Sequence, residues 1–355
     1  MNTVEFTAAN PAPAPAPDMR NRVCFVIGSP RSGSTLLMRI LNATSAIYSR
    51  PEPHLFPALA HLGFWNRVDA APYDQVQAQD GTRDFVADLP GGDADYYDAC
   101  RAYMDILYGR MLDASAGNEQ YFLDKTPANA LVLPFMERVY PDAKYIVLTR
   151  HPAAIFASYA NSFFDGDFES AVKFNPIISR YVPAMADFLR TATAPLLHVR
   201  YEDLVQNPEE TLKAISAFLE IPFEPEAVNY SSTSVDGKGL GDPVGVAQHS
   251  RPVTASVHKW APEFAADSSK FDVVAQQIAA VPEADLATFG YPLESLWTPM
   301  KEADPASWVP TQKKMDRFQR QRRILRWLRR DIHNRWHGPL IAKLRKVCDV
   351  LLRGH

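Results

Sequence analysis

The stretch that decides the fold runs from Val23 to Thr35 and reads V-C-F-V-I-G-S-P-R-S-G-S-T. Its first five residues are apolar and rich in β-branched side chains, which is the pattern of a short buried strand. Leu36 to Leu41 then continues with helix formers and contains neither Gly nor Pro. The stretch therefore predicts a strand, a glycine-containing loop and a helix, in that order.

The loop has the outline of a phosphate-binding loop, because Gly28 and Gly33 lie five residues apart and precede a helix whose free N–H groups would face an anion. In nucleoside triphosphatases the residue after the second glycine is a lysine, but here it is Ser34. The cation stands inside the loop, at Arg31. We therefore expect one phosphate to bind rather than a magnesium triphosphate, with Asp124 as the nearest candidate for an acidic metal ligand. An ordinary Gly/Ser turn is the alternative.

Three further apolar segments predict strands of the same kind, at residues 121–124, 144–149 and 196–200. Helices are expected from Pro152 onward and from Pro208 to Leu219. Strands that alternate with helices indicate an α/β fold, with a central parallel sheet covered on both faces as in the three-layer sandwich of P-loop proteins.

Ligands of such sheets bind beyond the carboxyl ends of the strands. Four loops should meet at that edge, at residues 28–35, 125–127, 150–158 and from 200 onward. Two stretches rich in Gly, Pro, Asp and Ser, at 68–95 and 229–258, are predicted to be long loops that cover the site or contact a substrate.

The composition, 46% hydrophobic and 22% charged, fits a globular protein with a sizeable core and excludes a disordered or collagen-like chain. The three cysteines lie far apart, which excludes a disulfide framework and a zinc knuckle and favours a reducing compartment. No apolar run is long enough to cross a bilayer, and the N-terminus lacks the pattern of a signal peptide. We therefore expect a cytoplasmic protein.

Three regions are expected along the chain. Residues 1–20 alternate Pro and Ala and predict a disordered lead-in, residues 21–300 form the main domain, and residues 311–355 form a basic arm. The arm carries 14 Lys and Arg against 3 acidic residues, a net charge of +11, which leaves −15 for the rest of the chain.

Apolar residues recur at helical spacing on both sides of Gly338-Pro339, so the arm should form two amphipathic helices. Two roles stay open for this helical extension: packing on the domain or on a second subunit, and peripheral contact with a membrane. Nucleic acid is not an expected partner, because no recognised binding module accompanies the charge.

Several blocks resemble the PAPS-dependent sulfotransferases, where PAPS is 3′-phosphoadenosine 5′-phosphosulfate, and within them most resemble the protein-tyrosine sulfotransferase branch and its bacterial relatives. The similarity covers residues 22–295 and identifies residues 21–300 as a sulfotransferase domain. The blocks are P-R-S-G-S-T-L-L from Pro30, L-D-K-T-P from Leu123, P-D-A-K-Y-I-V-L-T-R-H-P from Pro141, V-R-Y-E-D-L from Val199, V-H-K-W from Val257 and F-G-Y from Phe289.

The resemblance implies that Arg31 lies against the 5′-phosphosulfate while Ser32, Gly33, Ser34 and Thr35 donate to the same phosphate. No metal is expected, because the cations of the site would replace it.

Lys125 follows a strand, and the resemblance implies that its ammonium stabilises the bridging oxygen; a lysine snorkelling at the sheet edge is the alternative. Arg150 and Ser158 are implied at the 3′-phosphate. The matching cation of the tyrosine branch is replaced by Ser162, and Arg251 or Lys259 is a candidate substitute.

Tyr201 is a further candidate for contact with the nucleotide, although packing would also explain an aromatic residue there. Ser250 is implied near the sulfuryl group.

Glu52 is the expected general base, because it lies 21 residues after Arg31, the offset of the catalytic glutamate in the tyrosine branch. His54 competes for this role, since imidazole titrates near neutrality and the cytosolic branch uses a histidine.

The predicted activity is metal-independent transfer of a sulfuryl group from PAPS to a hydroxyl of an acceptor, and a small molecule, lipid or carbohydrate is favoured over a peptide. The alternatives are a P-loop nucleotide kinase and a non-catalytic nucleotide-binding scaffold. The acceptor itself is not identified by the sequence.

Overall fold

The protein is described here by a computed structural model. The structure describes residues 17–50, 52–65, 75–115, 117, 119–230 and 250–309, together with residues 340 and 343. The chain divides into two compact units, Met1–Ser307 and Trp308–His355. The predicted arm therefore lies almost wholly outside the described residues, as does the predicted lead-in up to residue 16.

A five-stranded parallel sheet forms the centre of the first unit, in the order β2-β3-β1-β4-β5. The strands are β1 (Val23–Ile27), β2 (Ile47–Ser49), β3 (Tyr121–Asp124), β4 (Lys144–Thr149) and β5 (Leu196–Arg200). The four predicted strands are confirmed. The sequence did not indicate β2, whose three residues are too few to form a recognisable pattern.

Fifteen α-helices surround the sheet within the described residues. They are α1 (Ser34–Asn42), α2 (Leu55–Ala60), α3 (Gln75–Ala87), α4 (Asp93–Asp113), α5 (Leu133–Val139), α6 (Pro152–Phe163), α7 (Phe168–Phe174), α8 (Ile177–Thr191), α9 (Tyr201–Gln206), α10 (Pro208–Leu219), α11 (Trp260–Ala266), α12 (Ser268–Ala279), α13 (Glu283–Phe289), α14 (Leu293–Leu296) and α15 (Thr298–Lys301).

Apolar side chains cover both faces of the sheet, which explains why the strands are continuous apolar runs rather than alternating ones. Along β1, Val23, Phe25 and Ile27 belong to a large cluster that contains residues of α4, α5, α6 and α8. Cys24 and Val26 belong to a second cluster with residues of α1, α9 and α10. The three-layer prediction is confirmed, and the carboxyl ends of β1, β3, β4 and β5 share one edge.

The prediction of a long loop over residues 68–95 is wrong for most of its described part. Gln75–Ala87 is helical, and α4 already begins at Asp93. The reason is that α3 lacks an apolar period: most of its described side chains are exposed, and Val86 is a buried exception. Of the second predicted loop, residues 231–249 lie outside the described part. Within the described residues, no helix has the length and apolar content needed to span a membrane.

Candidate active site

The loop between β1 and α1 reverses sharply through two residues in the left-handed region, Arg31 with φ 69° and Gly33 with φ 94°. The Ser32 N–H donates to the Ser29 carbonyl at 3.1 Å and closes the turn. A Cβ on Gly33 would lie 2.3 Å from Cδ2 of Tyr201. Glycine is therefore required twice here, by the backbone angle and by the ring that packs against it.

Two hydroxyls of this loop are buried without a partner among the described residues. Ser29 and Ser32 are 1% and 0% exposed, and neither Oγ makes a hydrogen bond there. Buried polar atoms are normally paired, so such orphans need an explanation. An anion bound in the loop would accept from both, beside the N–H groups at the start of α1.

Arg31, Arg150 and Ser158 come together at this loop. Nε of Arg31 donates to Oγ of Ser158 at 3.1 Å, and the Arg150 guanidinium donates to the Arg31 carbonyl at 3.0 Å. Arg150 also donates to the Ser256 carbonyl at 2.8 Å and lies 4.3 Å from the centre of the Tyr201 ring. Burial lowers the pKa of Arg150, and its Nε has no partner among the described residues.

Lys125, directly after β3, joins the loop to Glu52. Its Nζ donates to Oε1 of Glu52 at 2.6 Å and to Oγ1 of Thr35 at 3.3 Å. The lysine side chain is 1% exposed and the glutamate side chain 13%. Nε2 of His54 lies 3.3 Å from the other carboxylate oxygen, Oε2. The two competing base candidates are therefore neighbours in one arrangement.

Asp124, the candidate metal ligand, has a different role. It is fully buried, where it accepts from the Tyr108 hydroxyl at 2.5 Å and from Oγ1 of Thr126 at 2.8 Å. Burial raises the pKa of the Asp124 carboxyl, and these hydrogen bonds oppose that shift. The sequence did not predict these two contacts of Asp124. For Thr126, the available signal was its position directly after Lys125; for Tyr108 there was none.

Three predicted residues are not brought to the loop by any described contact. Ser250 and Lys259 are exposed. Arg251 forms an ion pair with Glu209 at 2.7 Å, and half of its side chain is exposed. The contact to Arg150 that the sequence did not predict comes from Ser256, whose Oγ also lies 2.5 Å from the Tyr201 hydroxyl.

A second buried cluster supports the ends of β4 and β5. The Glu202 carboxylate accepts from the His151 N–H at 3.1 Å and from the Tyr291 hydroxyl. The His151 ring stacks on Trp260, with the two ring centres 4.4 Å apart. Its Nδ1 accepts a hydrogen bond from the Ala153 N–H, and its Nε2 lies within hydrogen-bond distance of the Leu296 carbonyl oxygen. This pattern assigns the proton to Nε2 of a neutral imidazole.

We predict that this cluster makes stability depend on pH. Burial lowers the pKa of His151 to about 4. The unfolded chain therefore binds more protons than the folded one between about pH 6.5 and pH 4, so the free energy of unfolding falls as the pH is lowered through that window. The expected loss is about 3 kcal/mol. Urea unfolding at pH 7.5 and pH 4.5 measures it; an equal pH dependence in wild type and His151→Gln would contradict the assignment.

Comparisons with known proteins show which family this chain resembles. The model of the sulfotransferase family matches residues 24–225. The nodulation protein NoeE of Sinorhizobium fredii is 30% identical over 227 residues, which are 56% of this chain and 49% of that protein. Protein-tyrosine sulfotransferase 1 of Danio rerio is 24% identical over 287 residues, 76% of this chain and 75% of that protein. The chain thus spans about half the length of the nodulation protein.

Solved structures of similar chains include the sulfotransferase domain of a Synechococcus olefin synthase, with a TM-score of 0.48, 23% identity, and coverage of 76% of this chain and 98% of that one. A mouse sulfotransferase complexed with PAP has a TM-score of 0.43 and 13% identity, and the match covers 78% of this chain and 91% of that one. Because the family model matches more than half of the chain and includes the Arg31 loop and Lys125, the chain belongs to the sulfotransferase family.

Proposed function

We propose that this protein transfers a sulfuryl group from PAPS to a hydroxyl of an acceptor, without a metal ion and with Glu52 as general base. The observation that carries the proposal is the Lys125 ammonium, which contacts both Glu52 and Thr35 of the loop. A buried cation therefore lies between an anion-binding loop and a carboxylate. The transfer needs one group that stabilises developing negative charge and one that accepts a proton, and Lys125 and Glu52 place these two groups side by side.

The residues present fit the donor. Ser29 and Ser32 hold buried hydroxyls that have no partner in the described part of the chain, Arg31 supplies a cation inside the turn, and Gly33 lets the backbone approach closely. Bound PAPS would supply the activated sulfuryl group on its phosphosulfate. The residues that would hold its 5′ end are Arg31, Ser32, Gly33, Ser34 and Thr35.

Arg150 and Ser158 are proposed to hold the 3′-phosphate, with Tyr201 beside the nucleotide. The buried Nε of Arg150, which has no partner within the described ranges, supports this role, because a buried donor without a partner can bind an anion. Lys259 and Ser250 stay predictions, because no described contact brings either residue to the loop.

Lys125 and Glu52 have separate roles in the proposed transfer. The Lys125 ammonium, almost excluded from water, stabilises negative charge that develops next to Thr35. Glu52 accepts the proton of the attacking hydroxyl at Oε2, the oxygen beside His54, while Lys125 holds Oε1. The proposed acceptor is a small molecule, lipid or carbohydrate rather than a peptide.

Titration calorimetry with 3′,5′-phosphoadenosine tests the proposal. We expect a micromolar dissociation constant, about −8 kcal/mol of binding free energy, that is unchanged by a chelator. The same titration with ATP and magnesium should give weaker binding. A strict metal requirement or a preference for ATP would instead indicate a nucleotide kinase.

A further inference from the structure

We propose that His54 takes the proton from Glu52 after each transfer and releases it to solvent, so that the two residues form a relay. This inference rests on the proposed function. The geometry is direct: Nε2 of His54 lies 3.3 Å from Oε2 of Glu52, while Oε1 is bonded to Lys125. The oxygen that receives the acceptor's proton is therefore the oxygen that faces the imidazole.

The three side chains form a path from the interior to solvent. Lys125 is 1% exposed, Glu52 13% and His54 43%. A proton on Glu52 has little direct contact with bulk water, whereas a proton on His54 has ample contact. An exposed imidazole next to a shielded carboxylate is the arrangement that a proton exit requires.

Lys125 supplies the driving force. When Glu52 is protonated, the Lys125 ammonium is left buried beside a neutral carboxyl group, and removing the charge of one partner of a buried pair is costly. Transfer of the proton from Oε2 to a neutral Nε2 restores the carboxylate and creates an imidazolium. The imidazolium then gives the proton to water or buffer and returns to the neutral form, so charge and protons balance over the cycle.

The fold holds His54 in a conformation that aims it at Glu52. Its backbone is left-handed, with φ 55° and ψ 27°, immediately before α2, a region that few residues other than glycine adopt. Its N–H donates to Oγ1 of Thr126 at 3.4 Å, and Thr126 is bonded to buried Asp124. Surrounding contacts of this kind are what maintain a strained backbone.

The test compares His54→Gln with His54→Ala, which share the backbone strain and differ in the side chain. Gln keeps a polar side chain next to Glu52 but cannot carry a proton. We expect both variants to lower kcat about tenfold, with KM for PAPS unchanged within twofold, in assays with radiolabelled PAPS and a cell extract as acceptor source. Added imidazole should restore the rate of His54→Ala. His61→Gln, at the exposed end of α2, is the matched control.

Full activity in His54→Ala would overturn the relay, as would a lower rate that imidazole does not raise. A wild-type kcat in His54→Gln together with a lowered kcat in His54→Ala would show that His54 only positions Glu52. The same variants are titrated with 3′,5′-phosphoadenosine, because failure of the wild type to bind it would contradict the proposed function and not the relay alone.

Discussion

Glu52→Gln is expected to bind 3′,5′-phosphoadenosine as tightly as the wild type, within about threefold, and to lose transfer by about 10²- to 10⁴-fold, the usual contribution of a general base. The amide keeps the shape of the side chain and an oxygen for Lys125, so the ion pair becomes a hydrogen bond while the basic oxygen is lost. Calorimetry and transfer of label from PAPS to a cell extract measure the two quantities.

Glu210→Gln is the matched control for this variant, because Glu210 is an exposed glutamate on α10. It should behave as the wild type in both assays. If Glu52→Gln lost binding and transfer together, Glu52 would be a structural residue. If it kept full transfer, the base would have to be another group.

Gly33→Ala should weaken binding of 3′,5′-phosphoadenosine about 10- to 100-fold, because a strained backbone costs roughly 1–3 kcal/mol. The added Cβ would lie 2.3 Å from the Tyr201 ring, and alanine disfavours φ 94°. The loop or the ring must therefore move, and both belong to the proposed nucleotide site.

Gly81→Ala provides the comparison, since a Cβ at Gly81 meets nothing within 4 Å and its position is helical. It should leave binding unchanged and raise stability by up to about 1 kcal/mol. Urea unfolding of Gly33→Ala separates a local change in the loop from a loss of the fold. Wild-type affinity in Gly33→Ala would contradict the close approach of loop and ring.

The fold was predictable from sequence where elements are long, apolar and bounded by Gly or Pro. The loop from Gly28 to Thr35 is recognisable by its glycines, and the strand at 144–149 by its run of mostly apolar residues. By contrast β2 and α3 carry little signal: β2 has three residues, and the packing of α3 depends on α4 rather than on a strong apolar face of its own.

The arrangement of the candidate site could be predicted where residues lie at strand ends or at a family spacing. Lys125, Arg150 and Glu52 are in this group, and the structure brings each to the loop or to a neighbour of it. The sequence could not predict which of these side chains contact one another. Residues 52, 54 and 125 are joined only because β3 lies beside both β1 and β2 in the sheet, and β2 was not foreseen.

Arg150 and Ser158 are proposed to hold one phosphate, and both contact Arg31 in this structure, through its carbonyl and its Nε. The sequence did not predict this shared partner. Helical spacing places Ser158 on the correct turn of α6 but gives no information about which arginine reaches it. Long-range partners of this kind depend on the crossover connections of the fold.

A crystal structure with 3′,5′-phosphoadenosine is the most direct test of whether the Arg31 loop binds the phosphate. We predict a 5′-phosphate within hydrogen-bond distance of the Ser32 hydroxyl and the N–H groups of residues 32–35, with the Arg31 guanidinium beside it and no metal ion. A nucleotide bound elsewhere, with the Ser29 and Ser32 hydroxyls still unpartnered and Arg31 directed into solvent, would contradict it.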